Sequence, residues 1–283
     1  MRLSGRGLAL LLAAWSLAGC RTPKPLPGTD GKPFAPRAEP EKALSEREAL
    51  PAERAGDLFL VIDDAGLSMA QARRFLDIPI PMTLAVMPHR KVSREVAEAV
   101  ARDPLKEAIL HQPMEAYRES ADPGAGALFT NTPLGRVAGM LADNLSTVPG
   151  ARGMNNHMGS LATEDVELMR VVLSFCQTNG LFFLDSRTAY NSRVPEVAEE
   201  LGVHVEQRDV FLDIRHDRAS IQRRWAQAIR TARKNGYAVV IGHAWSAETA
   251  AVVRDSVDAL QKAGFRFRRL SELYAEVPDA IER

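Results

Sequence analysis

Two adjacent carboxylates stand at the end of an apolar run that reads LFLVI, from Leu58 to Ile62. Asp63 and Asp64 follow this run directly, and Gly66 then interrupts the segment. A short continuous apolar run is typical of a strand that is buried on both faces of a parallel sheet. Charged residues belong at the carboxyl end of such a strand, where α/β folds gather their chemistry. The pair could therefore bind a cation or exchange protons with a substrate.

Histidines and one further aspartate occupy equivalent positions after other predicted strands. They are His89 in MPH, His111 in ILHQPME, His157 in GMNNHMGS, Asp185 in FFLDSRT and His243 in VVIGHAW. Parallel strands place their carboxyl ends on one face, so these side chains could converge although they are distant in sequence. Each residue alone has a structural alternative, such as a core histidine bonded to backbone or an aspartate that caps a turn. As a group they favour a functional site.

This combination of donors is typical of a metal centre. Two or three imidazoles with a carboxylate are the usual ligands of a catalytic zinc or similar divalent ion, which keeps an open position for water. Such an ion stabilises charge and makes water nucleophilic near neutral pH. A second carboxylate could take the proton, so Asp63 and Asp64 offer both roles. Neighbouring residues of a regular strand face opposite sides, so both reach one site only if the strand bends there.

The elements that must position these residues alternate between short apolar runs and helix-like segments, which is the pattern of repeated βα units. The predicted strands are Leu58–Ile62, Met82–Met87, Glu107–Leu110, Arg152–Asn155, Leu181–Leu184, Val203–Leu212, Tyr237–Ile241 and Phe265–Leu270. The predicted helices are Ser68–Leu76, Ser93–Arg102, Pro133–Leu145, Thr163–Thr178, Val194–Leu201, Arg218–Lys234 and Ser246–Lys262. About seven such units predict one closed or nearly closed α/β barrel, with an open doubly wound sheet as the alternative.

Length and composition limit the classes of partner. The chain has 283 residues, of which 46% are hydrophobic and 25% charged, enough for one large domain with a substantial core. Lys plus Arg and Asp plus Glu both total 36, so the formal net charge is zero. This balance gives no reason to expect nucleic acid or an anionic membrane surface as partner.

The amino-terminal segment is typical of an export signal. Arg2 and Arg6 precede the apolar stretch Gly7–Ala18, which is too short to span a bilayer. The stretch ends in LAGC and resembles the bacterial lipoprotein processing signal, which implies cleavage before Cys20 and lipidation of its sulfur. An ordinary buried cysteine after a short apolar helix is the alternative. The lipoprotein interpretation predicts an exported protein that is anchored to a membrane of the cell envelope.

We therefore predict three parts. Residues 1–20 are a lipoprotein-type signal peptide, residues 21–56 a proline-rich disordered tether, and residues 57–283 the folded domain. If Cys20 carries lipid, Cys176 is the only other thiol and no disulfide can form within the chain. Cys176 lies on the apolar face of a predicted helix, where core packing explains it.

Six segments together resemble the divergent polysaccharide deacetylase family, relatives of the chitooligosaccharide-type deacetylases. They are VIDDAG, HQPME, GMNNHMGS, LFFLDSRT, DVFLD and VVIGHAW, and the resemblance covers roughly Asp57 to Tyr274. It implies a distorted (β/α) barrel, a divalent metal ion such as zinc, and a polysaccharide substrate from which acetyl groups are removed.

The resemblance also implies roles for individual residues. In the relatives, the first aspartate of the strand-end pair is the base and the second binds metal, so Asp63 is the expected base and Asp64 a ligand. His111 matches a metal-binding histidine, and we infer that His157 supplies a further imidazole ligand. His243 matches the late histidine that acts as general acid toward the leaving group.

Other residues of these segments are expected to support the metal ligands or to contact substrate. Glu115 stands where the relatives carry a second metal-binding histidine or aspartate, which changes the reach of this side chain. Asp185 is expected to hold an imidazole in orientation. Asn155, Asn156 and His89 are further candidates because they lie in or near the same strand ends.

Three functional hypotheses remain open at this level. The first is a metal-dependent hydrolase that deacetylates a cell-envelope or extracellular polysaccharide. The second is a non-catalytic envelope protein whose degenerate barrel binds glycan or a protein partner, because the relatives' Asp-x-x-Asp-Trp is DSRT in this chain and their arginine-and-proline motif has no clear counterpart. The third is another metal-dependent hydrolase on a similar barrel.

Overall fold

The computed structural model of this chain describes residues 55–275. The predicted signal peptide, the lipidation site Cys20 and all but the last residues of the predicted tether lie outside the described residues. Within the described part, no helix has both the length and the apolar character needed to cross a bilayer.

The described residues form nine strands and eight α-helices, with one 3-10 turn at Ala162–Glu164. The strands are β1 Gly56–Ala65, β2 Met82–Val86, β3 Lys106–Met114, β4 Gly153–Met158, β5 Phe182–Asp185, β6 Val205–Gln207, β7 Val210–Phe211, β8 Tyr237–His243 and β9 Phe265–Arg268. The helices are α1 Met69–Leu76, α2 Ser93–Ala101, α3 Leu134–Ser146, α4 Val166–Thr178, α5 Val194–Leu201, α6 Arg218–Asn235, α7 Ala247–Lys262 and α8 Leu270–Ala275.

All pairings between these strands are parallel, and the strands lie in the order β6-β5-β4-β3-β2-β1-β8-β7, with β9 beside the start of β1. The sheet is curled into a barrel that stays open between β6 and β7. The carboxyl ends of the strands, with the loops that follow them, therefore lie at one end of the barrel. The predicted distorted (β/α) barrel is confirmed.

The helices α1 to α7 pack on the outer face of the sheet and form one large apolar core with it. A second and smaller core lies on the inner face, where strand residues and α8 meet. A doubly wound sheet would carry long helices on both faces, so this alternative is wrong.

The first strand shows how the sequence divides between the two cores. Leu58, Leu60 and Ile62 belong to the outer core, whereas Phe59 and Val61 belong to the inner one. This alternation follows from the opposite directions of successive side chains in a strand. Both sets are fully buried, which explains why the segment is apolar without interruption.

The short helix α8 fills the inner face beneath the site. Leu270 and Leu273 pack in the inner core, and the ring of Tyr274 stacks on Phe182 with centroids 4.5 Å apart. The Tyr274 hydroxyl donates to the carbonyl of Phe183. The sequence prediction missed this helix, because six residues are too few to show a helical period.

The predicted strand Val203–Leu212 is wrong in extent, since the structure divides it into β6 and β7. The first pairs with β5 and the second with β8, so the chain crosses the open side of the barrel between them. Arg208 lies at this crossing, and its Nε donates to the carbonyl of Ser186 at 2.7 Å.

Two predicted helix starts also shift. The helix predicted from Thr163 begins at Val166, and the Asp165 side chain caps it by accepting from the Leu168 amide at 3.0 Å. Pro133 is the residue before α3 rather than its first residue. Both differences are shifts of a few residues, the usual uncertainty of an element boundary.

Truncation of Leu270, a residue of α8 that packs in the inner core, tests this architecture. Leu270→Ala should lower the free energy of unfolding by about 2–4 kcal/mol, because the truncated side chain leaves a cavity in a fully buried position. Chemical denaturation measures the change. Leu105→Ala is the matched control, since Leu105 is 37% exposed and its truncation should stay within about 0.5 kcal/mol. Equal effects of the two substitutions would contradict the assignment of α8 to the core.

Candidate active site

A backbone distortion at the end of β1 turns two adjacent carboxylates toward one site. The strand register against β2 changes between Ile62 and Ala65, and Asp64 has a left-handed φ of 60°. Such a conformation costs on the order of 1–3 kcal/mol for a residue other than glycine and is concentrated at functional sites. The bend that the sequence permits is therefore present, and it begins at Asp64, two residues before Gly66, whose φ of 104° is also positive.

Three side chains converge at the inner edge of these strand ends. The Oδ1 atom of Asp64 lies 3.0 Å from His157 Nδ1 and 3.4 Å from His111 Nε2. The two imidazole nitrogens are 3.1 Å apart. One oxygen and two nitrogens thus lie within 4.8 Å of one another, on β1, β3 and β4.

The donor set fits a divalent ion. Asp64 Oδ1 is buried and has no hydrogen-bond partner, whereas the Trp245 indole donates to the other oxygen, Oδ2, at 3.0 Å. An unpaired buried carboxylate oxygen is costly unless a cation satisfies it. Two imidazoles and one carboxylate with one free oxygen are a ligand set of the kind that binds zinc or a similar ion.

The amide of Asn155 links a ligand to the neighbouring carboxylate and determines which imidazole nitrogen is free. Its Nδ2 donates to Asp63 Oδ1 at 2.8 Å, because a carboxylate can only accept. Its Oδ1 must then face His111 Nδ1, 2.7 Å away, and accept that proton. In the neutral imidazole this leaves the lone pair of His111 on Nε2, the atom that faces Asp64.

The two aspartates have opposite electrostatic environments. Burial raises the pKa of Asp63, although the charges of His111 and His243 oppose the shift. Burial also disfavours the charge of Asp64, but the close imidazoles of His111 and His157 outweigh it and hold the pKa of Asp64 well below its usual range. Asp64 is thus the stable anion of the pair.

A second pair lies on the opposite side of β1. His243 ends β8 and is the pairing neighbour of Asp63. Its Nδ1 is 2.6 Å from Asp213 Oδ1, and the other oxygen of this buried aspartate accepts from the His243 amide at 2.9 Å and from Thr249 Oγ1 at 2.8 Å. Burial lowers the pKa of His243, but the hydrogen bond and charge of Asp213 outweigh it and raise this pKa to about 9.

Aromatic rings fix the plane of this histidine. Phe211 stacks on one side of the His243 ring with centroids 5.7 Å apart, and Trp245 stacks with it at 5.1 Å. Since Asp213 occupies Nδ1, the ring can offer only Nε2 to a bound molecule. The imidazole is therefore held in one orientation before any substrate arrives.

Two predicted candidates lie outside this cluster. The Oε2 atom of Glu115 accepts from the Thr130 amide and hydroxyl, both at 2.7 Å, so this side chain braces the loop after β3. His89 Nε2 lies 2.8 Å from Asn144 Oδ1, a residue of α3. Neither residue belongs to the group of ligand atoms around Asp64.

Asp185 was predicted to hold an imidazole in orientation, but its contacts are with other residues. Its oxygens accept from the Arg187 amide, the Ser192 hydroxyl and the Gln207 side chain at 2.8–3.1 Å, so it stabilises the loop after β5. Asn156 has a similar role, because its Oδ1 accepts from the Ser186 amide at 2.9 Å. The orienting groups are instead Asn155 for the imidazole of His111 and Asp213 for that of His243.

The sequence interpretation assigned no role to Asp213 or Trp245. Both lie in segments that carry the family resemblance, DVFLD and VVIGHAW, so a signal was present. Their contacts could not be derived from it, because Asp213 follows β7 and reaches His243 only through the pairing of β7 with β8.

Comparisons with known sequences find a matching family model and two relatives. The model of the divergent polysaccharide deacetylase family matches residues 60–274. An uncharacterized protein of Haemophilus influenzae is 35% identical over 193 residues, covering 66% of this chain and 66% of that protein. The uncharacterized protein YibQ of Escherichia coli is 34% identical over 190 residues, covering 67% of this chain and 59% of that protein. The chain thus spans less than two thirds of the length of each relative.

A solved structure has a similar fold. The crystal structure of an uncharacterized protein from Agrobacterium tumefaciens superposes with a TM-score of 0.71 at 22% sequence identity. The match covers 80% of this chain and 92% of that one.

The ligand assignment can be tested by metal binding. His157→Ala should lower the affinity for zinc by more than Asn155→Ala, because the first removes a donor atom and the second only the group that orients His111. For Asn155→Ala we expect a loss of about 10- to 100-fold. Titration of the metal-free chain with zinc measures both. His89→Ala is the matched histidine control and should bind as the parent does; parental affinity of His157→Ala would exclude His157 as a ligand.

Proposed function

Because the chain belongs to the divergent polysaccharide deacetylase family, we propose that it is a metal-dependent hydrolase that removes acetyl groups from a cell-envelope or extracellular polysaccharide. The proposal rests on one observation. Asp64, His111 and His157 each place one possible ligand atom within 4.8 Å of the others, and the Asp64 oxygen among these atoms has no hydrogen-bond partner. Asp63 and His243 lie on neighbouring strands beside this group, which supplies a base and an acid for hydrolysis.

Asp64, His111 and His157 would hold the ion, for which zinc is the expected identity. A bound divalent ion would polarise the acetyl carbonyl and make a water nucleophilic near neutral pH. The protein contributes to this by holding its ligands before the ion binds. Trp245 and Asn155 fix Asp64 and His111 through the atoms that do not face the site.

Asp63 is the proposed general base. Asn155 holds one of its oxygens, and the other, Oδ2, lies 3.7 Å from His111 Nε2 at the edge of the ligand group. This position allows Asp63 to take the proton of a water that attacks the acetyl carbonyl. Because Asn155 contacts both the base and a ligand, it also sets the spacing between them.

His243 is the proposed general acid. Asp213 keeps the imidazole of His243 protonated at neutral pH, because it raises the pKa of this group to about 9. The proton on Nε2 can pass to the nitrogen or oxygen of the sugar as the bond to the acetyl carbon breaks. Acetate and a free amine or hydroxyl group are then the products.

The proposed location follows from the amino-terminal sequence. A lipid on Cys20 would anchor the protein to a membrane of the cell envelope, and the proline-rich residues 21–56 would give the domain reach toward a polysaccharide. This part of the proposal rests on the sequence pattern alone.

Substitution of the base tests the proposed reaction. Asp63→Asn should retain zinc but release acetate from acetylated oligosaccharides about 10²- to 10⁴-fold more slowly, because the amide cannot accept the proton of water. Metal analysis and an acetate assay are made on the same samples. Asp143→Asn is the matched control, since Asp143 is an exposed residue of α3. A parental rate in Asp63→Asn would remove Asp63 from this role, and a zinc-loaded parent without activity would favour the non-catalytic hypothesis.

The acid can be tested through the pH dependence of the rate. Besides Asp213, the charges of Asp63 and Asp64 act on His243. Asp213→Asn removes the strongest stabilisation of the imidazolium, so the pKa of His243 should fall from about 9 toward its ordinary value of 6.5. Activity requires the protonated form, so the alkaline limb of the profile of kcat/KM should move to lower pH. An unmoved alkaline limb would exclude His243 as the acid.

A further inference from the structure

Positive charge is concentrated on one helix, although the formal net charge of the chain is zero. The longest described helix, α6, contains no aspartate or glutamate, whereas α7, which packs beside it, carries residues of both signs. The cations of α6 are Arg218, Arg223, Arg224, Arg230, Arg233 and Lys234. A neutral total therefore hides a strongly basic helix.

Most of these cations have no carboxylate partner. Arg218 pairs with Glu248 and Asp255 of α7, at 3.2 and 2.6 Å. In the part of the chain that the structure describes, none of the other cations of α6 forms an ion pair. Arg223 and Arg224 donate only to neutral side chains of α6 itself. Their charge is thus left for solvent or for an external partner.

The helix dipole explains only some of this charge. Arg233 and Lys234 lie in the last turn of α6, where the negative end of the dipole favours cations. The dipole acts within the terminal turns, so it does not account for Arg223 and Arg230. Arg230 and Lys234 are also four residues apart, a spacing at which like charges destabilise a helix. The accumulation of cations therefore does not serve the stability of α6.

Three of the cations form one straight row on the solvent side. Arg223, Arg230 and Lys234 are exposed and have the spacing of residues on a single helix face, which they share with Gln227. We call Arg223, Arg230 and Lys234 the basic stripe. It is about 16 Å long, because each residue of a helix adds 1.5 Å. The buried residues of α6 lie on the opposite face; they are Ser220, Ile221, Trp225, Ala228 and Ala232.

The surface around the basic stripe favours a charged, planar partner over a protein. None of the exposed large apolar side chains of the described residues belongs to α6. Protein interfaces usually have aromatic or apolar anchors at their centre. An anionic lipid surface needs only a row of accessible cations, each of which is attracted to the headgroups.

The chain enters the domain beside the end of the basic stripe. The Asp57 amide donates to the carbonyl of Gly236, the residue after α6, at 2.8 Å. Gly56 lies so close to α6 that a Cβ atom on it would be 2.5 Å from the Ala232 carbonyl oxygen. The segment that precedes the domain therefore joins it next to the last turn of α6, which carries Lys234.

We propose that the basic stripe docks the domain on the anionic lipid surface of the membrane to which Cys20 is anchored. This inference rests on the proposed location and is independent of the proposed reaction. A tether from Cys20 makes docking an intramolecular event with an effective concentration in the millimolar range, so a weak electrostatic attraction suffices. The metal ligands lie at the carboxyl ends of other strands, so docking through α6 leaves them free.

The test measures binding of the full chain to vesicles, with Cys20→Ala in every sample so that no attached lipid contributes. One set of vesicles is phosphatidylcholine, and the other contains equal parts of phosphatidylcholine and phosphatidylglycerol. Arg223→Gln, Arg230→Gln and Lys234→Gln combined should lower the affinity for the anionic vesicles about 100-fold, since each cation contributes roughly fivefold near such a surface. The affinity for neutral vesicles should not change. Added salt should weaken the binding of the parent more than that of this variant.

Lys91→Gln, Arg118→Gln and Arg136→Gln combined are the matched control. They remove the same charge from exposed residues of the loops after β2 and β3 and of α3. This variant should bind the anionic vesicles as the parent does. Parental affinity of the stripe variant, or an equal loss in both variants, would overturn the proposal.

A polyglutamate peptide in the same buffer represents an acidic protein partner. If the parent binds it more tightly than the anionic vesicles, and the stripe variant loses this binding, the basic stripe is a protein-binding surface and the membrane proposal is wrong. The mass of the chain isolated from cells shows separately whether Cys20 carries lipid. None of these measurements uses acetate release, so failure of the anchor, of the reaction and of the basic stripe can be distinguished.

Discussion

The left-handed backbone at Asp64 is the constraint on which the site depends. In a regular strand the side chain of Asp64 would point into the outer core among helices, opposite to Asp63. The change of register against β2 and the φ of 60° bring both carboxylates to the inner side. The conformational cost of this turn is small compared with that of burying an unpaired carboxylate in the outer core. The distortion therefore brings Asp64 to His111 and His157 and keeps its charge out of the apolar outer core.

The burial of so many charges requires that each has a partner. Asp63 and Asp64 face His111, His157 and His243, and Asp213 faces His243 from the far side. Asn155 completes the arrangement, because one end of its amide donates to a carboxylate while the other accepts from an imidazole. Such a network is rigid when every member is satisfied. The atom of this network that is left without a hydrogen bond is Asp64 Oδ1, which faces His111 and His157.

The two ends of the barrel differ in what lies on them. Helix α8 fills the inner face with Leu270, Leu273 and Tyr274, whereas the loops at the carboxyl ends carry exposed aromatic side chains. The polar network thus lies toward the carboxyl ends of the strands, away from α8. The polar edge follows from the strands themselves, whose apolar runs give way to polar residues near their carboxyl ends, as in LFLVIDD, AILHQ and FFLD.

The sequence by itself predicted most of the strands and helices in their order and the residues at the strand ends, whereas the choice of a barrel over a doubly wound sheet came from the family resemblance. Apolar runs have a period that is read locally, and parallel strands necessarily bring their ends together. Only the tertiary structure decided which of these residues meet. The side chain of Glu115 accepts from the Thr130 amide, and that of Asp185 accepts from an amide of its own loop. Asp213 orients the ring of His243. The physical reason is that position along a strand sets where a side chain starts, whereas its direction depends on bends and on partners from distant elements.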